Sequence, residues 1–395
     1  MKVLHVIPSI SKHAGGPSQA IFPMCRALRS QGVELLLATT DDGVQGEDAT
    51  AIQCGQAGEY NGQPTIFFPS QLGASFKYSG PFASWLNSNV AEYDLVHIHA
   101  VFNHVCIAAA RACRRQGVPY IVRPLGTLDP WSMKQKSWRK KLFWRGGVKS
   151  ILSSAAAVHY TARTEQMATE QSLGLNHGVV IPLGVELQQK EEPASRNVLA
   201  PKLPSLGAQP YVLVLSRLLP TKGIDVLLEA FLALLKEHDF GEWRLVLAGE
   251  GPPKYVAALR ETVAAAQAGE LVLFPGWLDG EEKEAALRHA SLLALPSYHE
   301  NFGLCVIEAL ASGVPVLVSP QVNLAADVEA AGAGWVVEIE KGALQAALQT
   351  ALNSAEELVR RGAAGRALAA KFDWSIVARR IKDLYSSVLE SNAQA

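Results

Sequence analysis

The feature that most restricts how this chain can fold is an alternation of short apolar runs with helical patterns, which occurs twice. In the first half the pattern predicts strands at 2–7, 33–39, 95–99 and 120–122, and helices at 21–28 and 108–115. Strands that alternate with helices form parallel sheets covered on both faces. The first half is therefore predicted to be a doubly wound α/β domain.

The alternation begins again after Pro182, with strands predicted at 211–215, 245–248, 271–274, 292–295 and 314–318, and helices at 224–238 and 254–267. Between the two series, residues 188–209 are rich in proline and lack hydrophobic periodicity, which is typical of a linker. We therefore predict an α/β protein with two Rossmann-like doubly wound domains, 1–187 and 188–373, that face a central cleft where ligands bind. An amphipathic stretch at 374–395 ends the chain.

The composition narrows the class of protein. With 49% hydrophobic residues, 18% charged residues and a net charge of −1, the chain is neither disordered nor held on nucleic acid by positive charge. Its five cysteines form no C-x-x-C pair, which argues against a disulfide framework or a zinc site. No charged leader precedes an apolar run, and no stretch reaches the roughly 18 apolar residues of a membrane span. We therefore expect a cytoplasmic protein.

Residues 300–308, with the sequence Glu-Asn-Phe-Gly-Leu-Cys-Val-Ile-Glu, contain the sharpest candidate site. They follow a predicted strand, and the pattern places a helix start near Leu304. Free amides at a helix start, aided by the helix dipole, bind phosphate oxygens. Glu300 lies before that helix and can accept hydrogen bonds from the hydroxyl groups of a ligand. Glu308 lies about one turn inside the helix and can bind the hydroxyls of a ribose. The alternative is a loop glutamate and a solvated helical glutamate.

Two basic residues, Arg217 and Lys222, follow the predicted strand 211–215. The guanidinium of Arg217 can fork across two phosphate oxygens, and the ammonium of Lys222 acts as a compact point charge. Together they would neutralise a departing diphosphate. Their position on one loop favours this interpretation over a solvated turn.

Glycines follow the first predicted strand in the segment 13–17, His-Ala-Gly-Gly-Pro. Gly15 and Gly16 would let the backbone approach a ligand at a helix start. A second glycine segment, 249–253, lacks the third glycine of a dinucleotide-binding fingerprint and is interpreted as a turn only. The incomplete fingerprint also disfavours an NAD-dependent dehydrogenase.

Together these motifs (Gly15-Gly16, Arg217 with Lys222, and Glu300 with Glu308) resemble family 4 of the retaining glycosyltransferases, also called glycosyl transferases group 1, of the bacterial polysaccharide type. The resemblance covers nearly the whole chain. It implies the GT-B fold, with an N-terminal acceptor-binding domain and a C-terminal domain that binds a nucleotide sugar. It also implies metal-independent transfer with retained configuration, and a terminal segment from Trp374 that crosses back to the first domain.

The resemblance implies a role for each matching residue. Arg217 and Lys222 would hold the diphosphate, Glu308 the ribose and Glu300 the sugar hydroxyls, so that Glu300, Arg217 and Lys222 are the predicted catalytic residues. Gly16, beside Gly15, would approach the diphosphate from the other domain. The remaining predicted donor-binding residues lie in two loops. They are Asn301, Phe302, Gly303 and Leu304 at the helix start, and Gly276, Trp277 and Leu278, which would surround the nucleotide base.

One loop departs from the family pattern. Many relatives carry a histidine after the strand that 120–122 represents, where it contacts the donor sugar, but residues 123–129 contain none. Arg123 and Asp129 are the candidates to replace it on the acceptor side.

Histidines cluster instead at His97, His99 and His104. His97 and His99 point to the same side of one strand. A zinc site is disfavoured because no carboxylate or cysteine lies at a suitable spacing. Two interpretations stay open, namely hydrogen-bonded histidines near a strand end and an acceptor-binding site, for which we single out His99 and His104.

Residues 131–149 combine basic residues with tryptophans and contain no acid. Aromatic bodies with basic heads suit an anionic membrane surface, which would place the protein peripherally on the inner face of the plasma membrane. An amphipathic helix packed within a soluble domain is the alternative interpretation.

The sequence thus predicts a metal-independent retaining hexosyltransferase that acts in polysaccharide or glycoconjugate biosynthesis. It would move a hexose from a nucleoside-diphosphate sugar, UDP-glucose by analogy with similar proteins, to a glycan or lipid-linked sugar acceptor. No cofactor besides this substrate and no nucleic acid partner is expected. Two alternatives stay open: a sugar-nucleotide epimerase on the same fold and a catalytically silent sugar-nucleotide sensor.

Overall fold

The computed structural model describes residues 1–11, 15–44, 53–72, 76–128, 133, 144–187, 194–237 and 240–394. The chain divides into two compact units. Unit 1 comprises Met1–Gly184 and Trp374–Ala395, and unit 2 comprises Val185–Asp373.

Unit 1 is built on a sheet that has eight strands within the described residues, in the order β3-β4-β2-β1-β5-β6-β7-β8. The strands are β1 (Lys2–Val6), β2 (Glu34–Thr40), β3 (Ala57–Tyr60), β4 (Gln63–Phe68), β5 (Leu95–His99), β6 (Tyr120–Arg123), β7 (Ala157–Tyr160) and β8 (Gly178–Val180). Among these eight strands, only β3 pairs antiparallel, with β4. The helices are α1 (Gly16–Ser30), α2 (Gly80–Asn89), α3 (His104–Gln116), α4 (Lys149–Ser153) and α5 (Arg163–Leu173), with a 3-10 turn at Val90–Glu92 and a π turn at Trp144–Val148.

Unit 2 is built on a parallel sheet that has six strands within the described residues, in the order β11-β10-β9-β12-β13-β14. The strands are β9 (Tyr211–Leu215), β10 (Arg244–Ala248), β11 (Val272–Gly276), β12 (Leu292–Leu295), β13 (Val316–Val318) and β14 (Gly334–Val336). The helices are α6 (Ile224–Glu237), α7 (Pro253–Ala265), α8 (Gly280–Arg288), α9 (Leu304–Ala311), α10 (Ala325–Ala331), α11 (Lys341–Leu352) and α12 (Ala355–Ala369). Short 3-10 turns lie at Arg196–Leu199, Pro220–Lys222 and Ala370–Phe372.

The last helix, α13 (Trp374–Ala393), returns the chain to unit 1. Its amphipathic pattern buries one face, on which Tyr385 has no exposed surface. The indole of Trp374 packs against Gly184 so closely that a Cβ there would lie 2.3 Å from the ring. Lys382 Nζ donates to the carbonyl of Gln31, after the end of α1, at 2.6 Å. This helix is therefore part of the packing of unit 1.

In each unit the strand order reverses at one place, between β1 and β5 in unit 1 and between β9 and β12 in unit 2. The strands at these places are short apolar runs, and Val212, Leu213 and Val214 of β9 have no exposed surface. In open parallel sheets, ligands bind outside the carboxyl ends of the strands at such a switch point. The predicted fold class, with two Rossmann-like doubly wound domains, is confirmed. None of the described helices combines the length and the apolar character that a bilayer crossing requires.

Candidate functional site

The loops that follow β9 and β12 are fastened to each other at the switch point of unit 2. Gly223 adopts a φ of 62°, and a Cβ on it would lie 2.2 Å from the carbonyl oxygen of Pro296, so only glycine fits there. The amide of Tyr298 donates to the carbonyl of Thr221 at 2.9 Å, and the hydroxyl of Ser297 is shared between that carbonyl, at 3.1 Å, and the carbonyl of His299, at 2.8 Å. These contacts fix the position of Lys222 relative to Glu300.

Lys222 and Glu300 form an ion pair across this switch point, with 2.5 Å between Nζ and Oε2. The Lys222 side chain is only 11% exposed and that of Glu300 22% exposed. A shielded pair of this kind interacts more strongly than a surface pair. The ammonium group has three hydrogens, so it can hold Glu300 and still donate to an anion.

The start of the helix after Glu300 depends on a glycine in the left-handed conformation. Gly303 precedes α9 with a φ of 81°, in the left-handed region. Phe302 anchors the loop, since its side chain is buried and its ring centroid lies 6.1 Å from that of Phe372. The carbonyl of Asn301 accepts from Asn323 Nδ2 at 2.7 Å. The amides of Leu304 and Cys305, the first two of α9, have no acceptors within the helix and are suited to an anion, whereas the amide of Val306 donates to the carbonyl of Gly303 at 2.9 Å.

Arg217 is exposed in the loop after β9, and two glycines shape the backbone around it. A Cβ on Gly249 would lie 1.9 Å from the carbonyl oxygen of Ser216, and one on Gly251 would lie 1.9 Å from that of Leu218. The amide of Leu218 donates to the carbonyl of Glu250 at 2.8 Å. The segment 249–251, which the sequence suggested was only a turn, therefore also supports the arginine loop.

Glu308 is paired with a lysine that sequence analysis missed. Lys283 Nζ, from α8, lies 2.7 Å from Glu308 Oε1. Cys305, on α9, lies between Glu300 and Glu308 in the sequence. Burial, reinforced by these two acids, raises the pKa of its thiol to about 12. A thiol in this state is a poor nucleophile.

The loop that follows β11 is fixed by a second unforeseen lysine. Lys202 Nζ donates to the carbonyl of Trp277 at 2.7 Å and forms an ion pair with Glu282 at 2.6 Å. Gly276 has a φ of 75°, and the side chain of Leu278 is buried. The loop therefore keeps a defined shape, with Trp277 half-buried.

In unit 1, Gly15 caps α1 with a φ of 99°, and a Cβ on it would meet no atom of the described residues within 4 Å. Gly16 is the first residue of that helix. Nδ1 of His104 accepts from the amide of Ser79 at 3.2 Å, and the ring lies 4.4 Å from that of Tyr78. His13, Ala14 and Asp129 lie outside the described residues, as does most of the basic segment 131–149.

His97 and His99 lie on the same side of β5, with their ring centroids 4.4 Å apart, in a buried cluster. Within the described residues, ring nitrogens of His5, His97 and His99 all lie within 4.8 Å of one another, a spacing that a metal ion could use. Burial, with a smaller contribution from Arg123, lowers the pKa of His5 to about 3, and burial also lowers the pKa of His97 and of His99 well below the usual value. The rings are therefore neutral at pH 7.

Hydrogen bonds fix which nitrogen of each ring carries the hydrogen. His159 Nε2 lies 2.8 Å from the carbonyl of Ile181, which can only accept, so Nε2 donates and Nδ1 of the same neutral ring accepts. His97 Nε2 lies 3.3 Å from that Nδ1 and must donate to it. His97 Nδ1 is therefore an acceptor, and the hydroxyl of Tyr385 donates to it at 2.7 Å.

The same chain of donors continues through Tyr385 to β1. With its hydrogen given to His97, the Tyr385 oxygen accepts from His5 Nε2 at 3.1 Å. His5 Nδ1 then accepts from His99 Nε2 at 3.1 Å. Nitrogens of His5, His97 and His99 are thus engaged in hydrogen bonds to one another, to His159 or to Tyr385. We call His5, His97, His99, His159 and Tyr385 the histidine chain.

Arg123, at the end of β6, is buried beside the histidine chain. Burial lowers its pKa to about 10, while Glu165 favours its charged form. Its Nε has no hydrogen-bond partner among the described residues, and Nη1 lies 3.6 Å from the sulfur of Met24. His99 and Arg123 are thus enclosed in unit 1, whereas His104 is partly exposed.

Comparison with known proteins identifies both units. Residues 15–184 match the family model described as glycosyl transferase 4-like domain, and residues 195–368 match the model described as glycosyl transferases group 1. The chain belongs to the group 1 glycosyl transferases. This confirms the family that the sequence motifs suggested.

Curated relatives of this group 1 glycosyl transferase carry the name D-inositol 3-phosphate glycosyltransferase. The protein from Streptomyces scabiei is 27% identical over 408 residues, which cover 96% of this chain and 88% of the relative. The protein from Nocardia farcinica is 28% identical over 304 residues, which cover 75% of this chain and 67% of the relative.

Solved structures share the fold of this glycosyl transferase. Anabaena HepE (Alr3699), in complex with UDP and glucose, is 20% identical with a TM-score of 0.78 and covers 98% of this chain and 100% of its own. Sucrose-phosphate synthase from Thermosynechococcus elongatus is 21% identical with a TM-score of 0.77 and covers 99% of each chain. The fold is GT-B, as the sequence motifs implied.

Within unit 2 the structure gathers the predicted donor residues near the carboxyl edge of one sheet. Lys222 and Glu300 are in contact, Arg217 lies on the same loop as Lys222, and Glu308 lies on the helix that follows Glu300. Sequence reasoning missed Lys202 and Lys283, and in unit 1 His5, His159 and Tyr385, and it interpreted Gly249 and Gly251 only as part of a turn. A single lysine or a single histidine outside a motif gives no signal of its own, whereas the two glycines are visible in the sequence.

Proposed function

We propose that unit 2 of this glycosyl transferase binds UDP-glucose and that glucose is transferred, with retained configuration and without a metal ion, to a hydroxyl of a glycan or lipid-linked sugar. The observation that carries the proposal is the contact of Lys222 with Glu300 at the switch point of the sheet. There a cation suited to a diphosphate meets an acid suited to sugar hydroxyls.

Each part of the donor has a counterpart among the described residues. Arg217, Lys222 and the first amides of α9 take the diphosphate, and Glu300 takes the sugar hydroxyls. Glu308 takes the ribose, and residues 276–278 take the base. The complexes of HepE with UDP-glucose and with UDP and glucose support the choice of uridine and glucose.

The reaction forms one bond and breaks one. The acceptor hydroxyl oxygen bonds to the anomeric carbon, and the bond from that carbon to the diphosphate oxygen breaks with its electron pair on UDP. The departing diphosphate takes the hydroxyl proton, and the acceptor enters on the face that UDP leaves, which retains configuration. Arg217 and Lys222 stabilise the charge that develops on UDP, a contribution of the oxyanion-hole type.

A transfer assay tests the proposal. The protein is incubated with UDP-glucose, EDTA and single acceptors, including inositol 3-phosphate because of the relatives' name, simple sugars and a lipid-linked sugar. We expect UDP release that requires an acceptor, and a product whose anomeric proton in NMR shows the configuration of the donor. An inverted product, or activity lost with EDTA, contradicts the mechanism. Binding of UDP-glucose without turnover favours the sensor, and epimerisation of UDP-GlcNAc alone favours the epimerase.

A further inference from the structure

The ion pair between α8 and α9 uses only half of the Glu308 carboxylate. Lys283 Nζ bonds to Oε1 at 2.7 Å, and among the described residues no partner is found for Oε2. Both side chains are about three-quarters buried, with 22% exposure for Lys283 and 24% for Glu308. Lys283 also lies in the helix that follows the loop 276–278. One carboxylate oxygen is thus held by the protein and one is open.

We propose that Lys283 is a positioning residue for the nucleotide, because it fixes the Glu308 carboxylate so that Oε2 accepts the ribose hydroxyls. This inference rests on the proposed function. A carboxylate without a partner rotates among several orientations, and ordering it on ligand binding costs conformational entropy. The bond to Lys283 meets that cost before the nucleotide arrives.

The charge of Lys283 has a second consequence. The nucleotide carries a diphosphate, so an uncompensated glutamate near its ribose would repel it. Lys283 brings the net charge of the pair to zero, as Lys222 does for Glu300. Both acids of the segment 300–308 therefore have a lysine from another element on one oxygen.

A substitution combined with deletion of a ligand hydroxyl separates this role from that of an ordinary ion pair. Isothermal titration of the full chain with UDP and with 2′-deoxy-UDP gives the factor by which the hydroxyl improves affinity. For the wild type we expect about tenfold, as for a hydrogen bond to a charged group. In Lys283→Met we expect that factor to fall below about threefold, with Lys283→Arg restoring it.

Kinetics provide a second readout. Because the ribose contact is the same in the ground and transition states, Lys283→Met should raise the KM for UDP-glucose by about three- to tenfold and leave kcat unchanged. Lys236→Met, which removes an exposed lysine from the last turn of α6, is the matched control and should change neither constant.

The outcomes separate the two proposals. If Lys283→Met binds UDP and discriminates against 2′-deoxy-UDP as strongly as the wild type, Lys283 is only a surface partner and this inference is wrong. If the wild type binds no UDP, the proposed function itself fails. If Lys283→Met does not fold, Lys283→Gln is tested with the same titrations and the same criteria.

Discussion

Lys222 Nζ lies 2.5 Å from Glu300 Oε2, although the two residues are 78 positions apart in the chain. They meet because β9 and β12 are neighbours in the sheet, and the loops that leave their carboxyl ends are bonded to each other. The fold therefore places a cation beside the acid that we propose binds the sugar hydroxyls.

Removal of the two cations should abolish transfer without unfolding the protein. In Lys222→Met we expect kcat to fall by about 10²–10³, the usual cost of losing one preorganised group that stabilises developing charge. Arg217→Ala combined with Lys222→Ala should leave no measurable turnover. Lys2→Met removes an ion pair with Glu92 in unit 1 and should keep full activity. Substantial turnover by the double variant, measured as UDP release, would contradict the proposed mechanism.

A single methyl group on Gly251 should destabilise unit 2. A Cβ there would lie 1.9 Å from the carbonyl oxygen of Leu218, so Gly251→Ala forces the Arg217 loop to move. We expect a loss of about 1–3 kcal/mol in the free energy of unfolding, together with weaker binding of UDP. Gly269→Ala is the control, because in the described part of the chain no atom lies within 4 Å of its Cβ position. Urea unfolding measures the stability of both variants, and equal stability would contradict the close approach of Gly251 to Leu218.

The histidine chain predicts that stability falls in mild acid. Burial lowers the pKa of His5 and of His159 to about 3, from 6.5 in the unfolded chain. Between these values the unfolded chain binds more protons, so the stabilisation is complete above pH 6.5 and is lost as the pH falls towards 3. The free energy of unfolding should decrease by about 1.4 kcal/mol per pH unit for each ring. Urea titrations at pH 7.5, 6.0 and 5.0 measure the slope, and a flat profile would contradict burial of neutral rings.

Tyr385 should be the most sensitive position of the histidine chain. Tyr385→Phe removes the hydroxyl that donates to His97 and accepts from His5, and leaves two buried nitrogens without partners. At about 1–3 kcal/mol for each such group, we expect a loss of about 2–6 kcal/mol at pH 7.5. Tyr255→Phe removes an exposed hydrogen bond to Asp225 and should cost less than about 1 kcal/mol. Similar losses in the two variants, measured by urea unfolding, would show that the chain of donors does not exist.

The sequence was informative where burial on both faces produces an uninterrupted apolar run. The strands predicted at 95–99, 211–215 and 292–295 coincide with β5, β9 and β12. The strands β7 and β14 were not predicted, because both are short and begin with a residue that is uncommon in strands, Ala157 in β7 and Gly334 in β14. Neither gives a periodic signal that differs from that of a loop.

The candidate site was predictable only as far as local motifs extend. Glu300 and Lys222 stand at the ends of strands, and that position alone suggested a role. Lys283 gave no such signal, because its partner depends on how α8 approaches α9. In the same way His5 is 94 positions from His99, and only the pairing of β1 with β5 brings their rings together.

Unit 2 begins and ends at the same place. The amide of Val185 donates to the carbonyl of Phe372 at 2.8 Å, and Val185 pairs with Asp373 as an isolated bridge. Since α13 belongs to unit 1, unit 2 has the topology of an insertion into a discontinuous domain. A polypeptide of residues 185–373 therefore has adjoining termini and its own sheet, which makes it suited to excision and to circular permutation.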